Sequence, residues 1–212
     1  MRLINLQGLS REEIIKQLSK YTSNLEGRIG QIYNGMEHHN KREIWDYQAC
    51  LLYVCANQFN VAGAQIMEFG TCWGWSAAII ANAAPKAKLV TMTPNVNHAK
   101  ISTGQLAKYS NVKVLEKSSV DLLDEYNGPE LDMLFVDGDH DNIRLDMPWW
   151  DWMKIGGLML HHDYTPKGAP RETPIVYNEL NLFWKKLGRG PDVLMIDDKG
   201  TGMAGWYRRE GE

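Results

Sequence analysis

The chain predicts an α/β fold, a doubly wound and mostly parallel sheet with an antiparallel C-terminal hairpin strand. Three observations predict it. Residues 64–80 read as a short apolar strand (Ile66, Met67, Phe69), a turn with Gly70 and Gly74, and a helix opening at Trp75 on small apolar residues. From there, strand and helix patterns alternate, as parallel strands with crossover helices require. Near the end, Asp197-Asp198-Lys199-Gly200 separates two strand-like runs, Val193–Ile196 and Gly202–Tyr207, and reads as a hairpin turn.

Taken in order, residues 10–19 form a helix with Ser10 as N-cap and Glu13 completing a capping box. Residues 27–35 carry Gly27, Gly30 and Gly35 and read as a loop or broken helix. A second helix is expected over 40–58, where Ile44, Tyr47, Leu51, Leu52 and Cys55 recur at helical spacing. Strands follow at Lys88–Met92, Val112–Glu116, Asp132–Val136 and Leu158–His161, with helices over 96–109, 120–126 and 174–187. Trp149–Lys154 reads as a helix that Gly156-Gly157 stops. With no repeat or linker, residues 1–60 are a helical cap on the same domain as residues 61–212.

Composition excludes several classes. Of 212 residues, 44% are hydrophobic and 23% charged, an ordinary globular balance. A net charge of -3 gives no basic footprint for nucleic acid. No apolar run reaches the ~20 residues of a membrane span, and the N-terminus lacks the apolar core of a signal peptide. Cys50, Cys55 and Cys72 lie in apolar contexts without metal spacing and read as thiols of a reducing cytoplasm.

Polar residues end three strands: Glu68, Asp137 and His162-Asp163. In an open parallel sheet, ligands bind at those carboxyl ends. Glu68-x-Gly-x-x-x-Gly74 is not the Gly-x-Gly-x-x-Gly of dinucleotide sites. A carboxylate at that point repels phosphate and suits the sulfonium and ammonium of S-adenosylmethionine (SAM). A strand-to-helix turn with Glu68 capping loop amides explains it equally well. Asp137-Gly138-Asp139-His140-Asp141 offers carboxylates and an imidazole for a hard cation, for general base work, or for an Asp-Gly turn. Asp137, His162 and Asp163 can converge on one cation, whereas alternation along the strand turns His161 to the opposite face.

Met67-Glu68-Phe69-Gly70-Thr71-Cys72-Trp73-Gly74-Trp75-Ser76 resembles the first SAM motif of class I SAM-dependent methyltransferases. Asp132–His140 and Gly156–Tyr164 are similar to that family's motifs on its fourth and fifth strands. The resemblance runs from about residue 44 to 207 and is nearest to metal-dependent small-molecule O-methyltransferases of the catechol and macrocin/cephalosporin-tailoring types. It implies a Rossmann-like fold and methyl transfer from SAM to a hydroxyl of a small acceptor, assisted by a divalent metal, Mg or Mn. Carried over by position, Glu68, Gly70, Thr71, Trp73, Gly74 and Ser76 shape the methionine end of the SAM pocket. Thr93 stands at the ribose, Ser118 and Ser119 at the adenine, and Asp137 touches cofactor and metal. Asp137, His162 and Asp163 are the implied metal ligands, and His140 the base, with an ordinary pKa near ~6.5.

One position departs from the family, which places an acid on the ribose hydroxyls. Here Val90-Thr91-Met92-Thr93-Pro94-Asn95 supplies only neutral groups, Thr93 or Asn95. A metal-dependent oxygenase using Asp137, His140, His162 and Asp163, and a non-catalytic binding protein, therefore stay open. Trp149, Trp150 and Trp152 either wall a substrate pocket or pack the helix, with packing favoured for two of the three. The loop 164–174 has the length and Pro/Gly content of a lid, in which Lys167 and Arg171 can meet an anionic substrate. The N-terminal helices either cap the acceptor site or form a homodimer contact.

Overall fold

The apolar runs become strands of one sheet in the computed structural model, which describes residues 3–36, 44–166 and 174–212. The strands are β1 Ile4–Leu9, β2 Gln65–Phe69, β3 Lys88–Thr93, β4 Val112–Glu116, β5 Leu131–Val136, β6 Met153–His161, β7 Val193–Asp197 and β8 Gly202–Tyr207. Their spatial order is β1-β7-β8-β6-β5-β2-β3-β4. All pair in parallel except β8, which is antiparallel to both β6 and β7. The expected doubly wound sheet with its antiparallel hairpin strand is borne out.

The helices are α1 Arg11–Leu18, α2 Leu25–Asn34, α3 Asp46–Asn57, α4 Trp75–Ala83, α5 Val96–Leu106, α6 Ser119–Glu125 and α7 Ile175–Lys185. Alternation along the central strands feeds two cores. Ile66, Met133, Phe135, Leu158 and Leu160 pack on the side of α1–α4, while Met67, Leu134, Val136 and Met159 pack on the side of Trp149, Trp150, Leu180 and Trp184. The capping box at Ser10 and Glu13 forms as expected.

Four readings of local structure are corrected. Residues 25–34 are one continuous helix, neither a loop nor a broken helix, because Leu25, Ile29, Ile32 and Tyr33 share a buried stripe that outweighs the cost of Gly27 and Gly30. The N-terminal segment is not helical throughout, since Ile4 and Leu6 bury as β1 on the free edge of β7. No α-helix forms over 149–154: Met147–Trp152 is a 3₁₀ segment, preceded by another at His140–Leu145. Gly156-Gly157 stops no helix but lies inside β6, where the register jumps from Leu131–Met153 to Met133–Leu158. Gly156 has φ +83° there, and a Cβ on Gly157 would meet the carbonyl oxygen of Leu131 at 2.8 Å. The second helix begins at Asp46; the stretch before Ile44, like Lys167 and Arg171 of the loop 164–174, lies outside the described residues.

Candidate active site

The sheet reverses its winding at β2, which has β3 on one side and β5 on the other. Such a switch point opens a crevice at the strand ends, where loops leave in opposite directions. Here the crevice is a cavity of about 1250 Å³, walled by Gly70, Thr93, Ser119, Asp137, His140 and Asp163 among others. The backbone holds its floor. Asp137 N–H donates to the Phe69 carbonyl at 2.9 Å, His162 N–H to the Val136 carbonyl at 3.0 Å, and Gly70 and Thr71 N–H both to the Met92 carbonyl at 3.0 Å.

The Gly70 turn is close to the limit of backbone approach. Gly70 has φ +93°, and a Cβ there would lie 1.9 Å from the carbonyl oxygen of Asp137. Gly74 follows in the left-handed conformation and opens α4. Cys72, also at positive φ, lines the cavity. Asp163 has φ +53°, which Asp tolerates better than most residues.

Four side chains meet at the ends of β5 and β6. His140 Nε2 stands 3.4 Å from Asp137 Oδ1 and 3.1 Å from Asp163 Oδ2. His162 Nδ1 stands 3.1 Å from Asp137 Oδ1 and 3.0 Å from Asp163 Oδ2, although neither approach has hydrogen-bond geometry. The contact with Asp137 raises the His140 pKa to about 8 against the opposing effect of burial. Burial opposes protonation of His162 too, but the two carboxylates lift it well above the ordinary imidazole range. Burial would raise Asp137; the charge on His162 and the contacts from both imidazoles overcome it and hold the carboxyl down at about 2.

Asp137, His140 and Asp163 each offer one ligand atom, all within 4.8 Å of one another, so this donor set fits a divalent cation. His140 thus joins the cluster expected of Asp137, His162 and Asp163. His162 also borders the cavity, but its side chain is only 7% exposed and its Nδ1 faces both carboxylates. His161 points the other way, buried beside Trp184 and Trp206.

The remaining expected residues divide by exposure. Thr93, Ser118 and Ser119 line the cavity with Gly70 and Asp137. Thr93 Oγ1 accepts from Asn95 N–H and lines the cavity, while Asn95 Oδ1 caps α5 and Asn95 is not part of the cavity wall. Ser119 donates to the buried Asp146, whose pKa burial raises to about 6 despite that bond. Glu68, Thr71 and Ser76 sit behind the wall. Glu68 is enclosed, accepts from the Thr91 hydroxyl through Oε2, and keeps Oε1 without a partner. Burial raises it to about 7, against the opposing bonds of Ser76 and Thr91. Trp73 packs on His98 instead of the cavity. Trp149, Trp150 and Trp152 do not line the cavity: Trp149 packs on Phe69 and Tyr126, Trp150 on Trp184, and Trp152 on Tyr126.

Arg11, Trp45, Gln48, Asp146 and Lys199 wall the cavity without any local sequence signal. Arg11 arrives because β1 runs parallel to β7, so both strands end at the ligand edge, with Leu9 beside Asp197.

Comparison with known proteins agrees with this architecture. A family model described as "Methyltransferase domain" matches residues 67–164. The chain matches no curated protein. Among solved structures it is similar to the O-methyltransferase TomG from Streptomyces achromogenes in complex with SAM, at 19% identity over 92% of this chain and 96% of that one, with a TM-score of 0.65. It is also similar to the O-methyltransferase from Bacillus cereus in complex with SAH, at 16% identity over 92% and 97%, TM-score 0.62. The SAH-bound methyltransferase PaMTH1 from Podospora anserina matches at 17% over 93% and 94%, TM-score 0.62. At these identities the structural likeness establishes the fold. The matched segment, just under half of the chain, agrees with the resemblance to methyltransferases read from the motifs. Among the described residues, no helix is long and apolar enough to cross a membrane.

Proposed function

We propose that the chain is a SAM-dependent O-methyltransferase that methylates a hydroxyl of a small molecule with the help of a divalent cation, Mg or Mn. The observation that carries this reading is the Gly70–Asp137 approach. It fastens the glycine turn at the cavity wall to the carboxylate cluster that would hold the acceptor.

The cavity fits SAM chemically. Gly70 lets the β2 turn and the Asp137 backbone close against each other at the cavity wall, and among the described residues one buried oxygen of Glu68 has no partner behind the turn. Thr93 faces the ribose with a neutral hydroxyl, and Ser118 and Ser119 border the adenine end. SAM supplies the electrophilic methyl group. Asp137, His140 and Asp163 would hold the cation, which supplies positive charge that favours the ionised acceptor hydroxyl. His162 would set a positive charge beside the two carboxylates from the buried side. With the cation absent, His140 has the position and basicity to take the acceptor proton. Holding acceptor and donor together in this enclosed crevice supplies much of the rate.

Isothermal titration calorimetry with SAM, with and without Mg or Mn, tests the reading. One-site saturable binding, followed by methyl transfer to a hydroxylated acceptor, is the expected result. Absence of SAM binding under every metal condition overturns it.

A further inference from the structure

One part of the cavity wall gathers donors that the described residues do not fully engage. Arg11, Trp45, Gln48 and Lys199 all line it, and they are joined to one another. The Arg11 guanidinium lies over the rings of Trp45 and Tyr47, at 5.0 and 4.8 Å from their centroids. Its Nε donates to Asp197 at 3.2 Å. The same Asp197 accepts the N–H groups of Lys199 and Thr201, which folds the β7–β8 turn against Arg11. Beyond that bond the guanidinium also meets the Tyr47 hydroxyl, and the Nη donors not spent there are left for a bound molecule at the cavity wall.

Gln48 gives an independent sign. It is fully buried, and its Oε1 accepts from Trp45 N–H at 3.0 Å, which fixes which end of the amide is which. Among the described residues its Nε2 is then a buried donor without an acceptor, in a residue of the cavity wall. A buried amide donor left unmatched is costly, and an oxygen of a bound molecule would satisfy it. The ammonium of the exposed Lys199 adds a second positive charge, while the charge of Asp197 is already engaged.

We propose that Arg11, Gln48 and Lys199 form a carboxylate subsite, so that the methyl acceptor is a hydroxylated molecule carrying a carboxylate. The Arg11 fork matches the two oxygens of a carboxylate, Gln48 donates a further hydrogen bond, and Lys199 contributes charge. The exposed edge of Trp45 gives a planar acceptor body a surface beside the fork. Calling the bound molecule the acceptor rests on the methyltransferase reading; the subsite itself does not.

The test is calorimetric titration of the protein, with and without SAH, using benzoate and 3,4-dihydroxybenzoate against their neutral amides. The acids should bind about 10-fold or more tightly than the amides. Lys199→Gln and Arg11→Lys should each reduce that preference, and Gln48→Glu, which keeps the acceptor for Trp45 N–H, should abolish it. SAH affinity and melting temperature should stay unchanged in Lys199→Gln. Equal binding of acid and amide, no measurable binding of either acid, or a preference that survives Gln48→Glu with Lys199→Gln overturns the proposal. Tighter binding of phenyl phosphate than of benzoate assigns the site to phosphate and overturns the carboxylate. Failure of SAH binding with the acid preference intact would remove the methyltransferase reading and leave the subsite standing.

Discussion

The carbonyl oxygen of Asp137 occupies the place where a side chain on residue 70 would begin, 1.9 Å from the Cβ that Gly70 lacks. The first SAM-type motif and the acidic strand end are thus fitted to each other through backbone. Gly70→Ala also meets a φ of +93° that disfavours alanine. We expect it to lower stability by more than about 1 kcal/mol and to displace Asp137, so that SAM affinity and turnover fall together. Denaturant unfolding and titration with SAM would show this; a variant with both unchanged would mean the two loops are not tightly coupled.

His140 bridges the two carboxylates from the exposed side of the cluster. Replacing it with alanine should reduce methyl transfer by roughly 10²–10⁴ while leaving SAM affinity within about threefold. In metal-free enzyme the base must be the neutral imidazole. With its pKa raised to about 8, any residual wild-type rate should climb with pH and level off above that value. A flat profile between pH 6 and 9 would remove His140 from the role of base.

Glu68 is enclosed and its folded pKa is raised to about 7 from an ordinary 4.5. A raised carboxyl stabilises the fold below the unfolded pKa, and that contribution is lost as pH rises through 7. The stability of wild type relative to Glu68→Gln should therefore fall between pH 5 and 7. If the carboxylate serves the positive charge of SAM, affinity should also rise over the same interval in wild type and stay level in the variant. Chemical denaturation and calorimetry at pH 5.5 and 8 measure the two effects separately.

His161 is buried among Trp184 and Trp206 with neither ring nitrogen hydrogen-bonded. Burial lowers its pKa to about 3, so the fold holds it neutral while the unfolded chain protonates it near pH 6.5. The stability of wild type relative to His161→Phe should accordingly fall as pH drops from about 6.5 towards 3. His161→Phe should gain about 1–2 kcal/mol at pH 7 by removing unmatched polar atoms, and more at pH 5. Unfolding curves at those two pH values decide it; equal gains would mean the histidine does not govern acid lability.

Much of this fold was legible because its signals are local. The strand at Ile66–Phe69, the glycine turn and the α4 start are consecutive in sequence, and alternation along β5 and β6 foretold that His161 and His162 would face opposite ways. Three of the four side chains at the strand ends were expected as metal ligands, and the fourth, His140, as a base. What local reading got wrong were segments whose conformation depends on partners. Gly27 and Gly30 read as breakers until the buried stripe of α2 was in view, and Gly156-Gly157 read as a helix stop when they form an irregularity in β6.

By itself, then, the sequence determined the class of fold and the strand ends at which polar side chains gather, since periodicity and turn residues act between neighbours a few positions apart. The tertiary structure alone decided that β1 pairs with β7 and delivers Arg11 to the ligand edge. It decided that Gln48 turns an unmatched amide to the cavity wall, and that Glu68 lies behind that wall. Those outcomes depend on contacts between residues as far apart as Arg11 and Asp197, and no spacing rule along the chain records them.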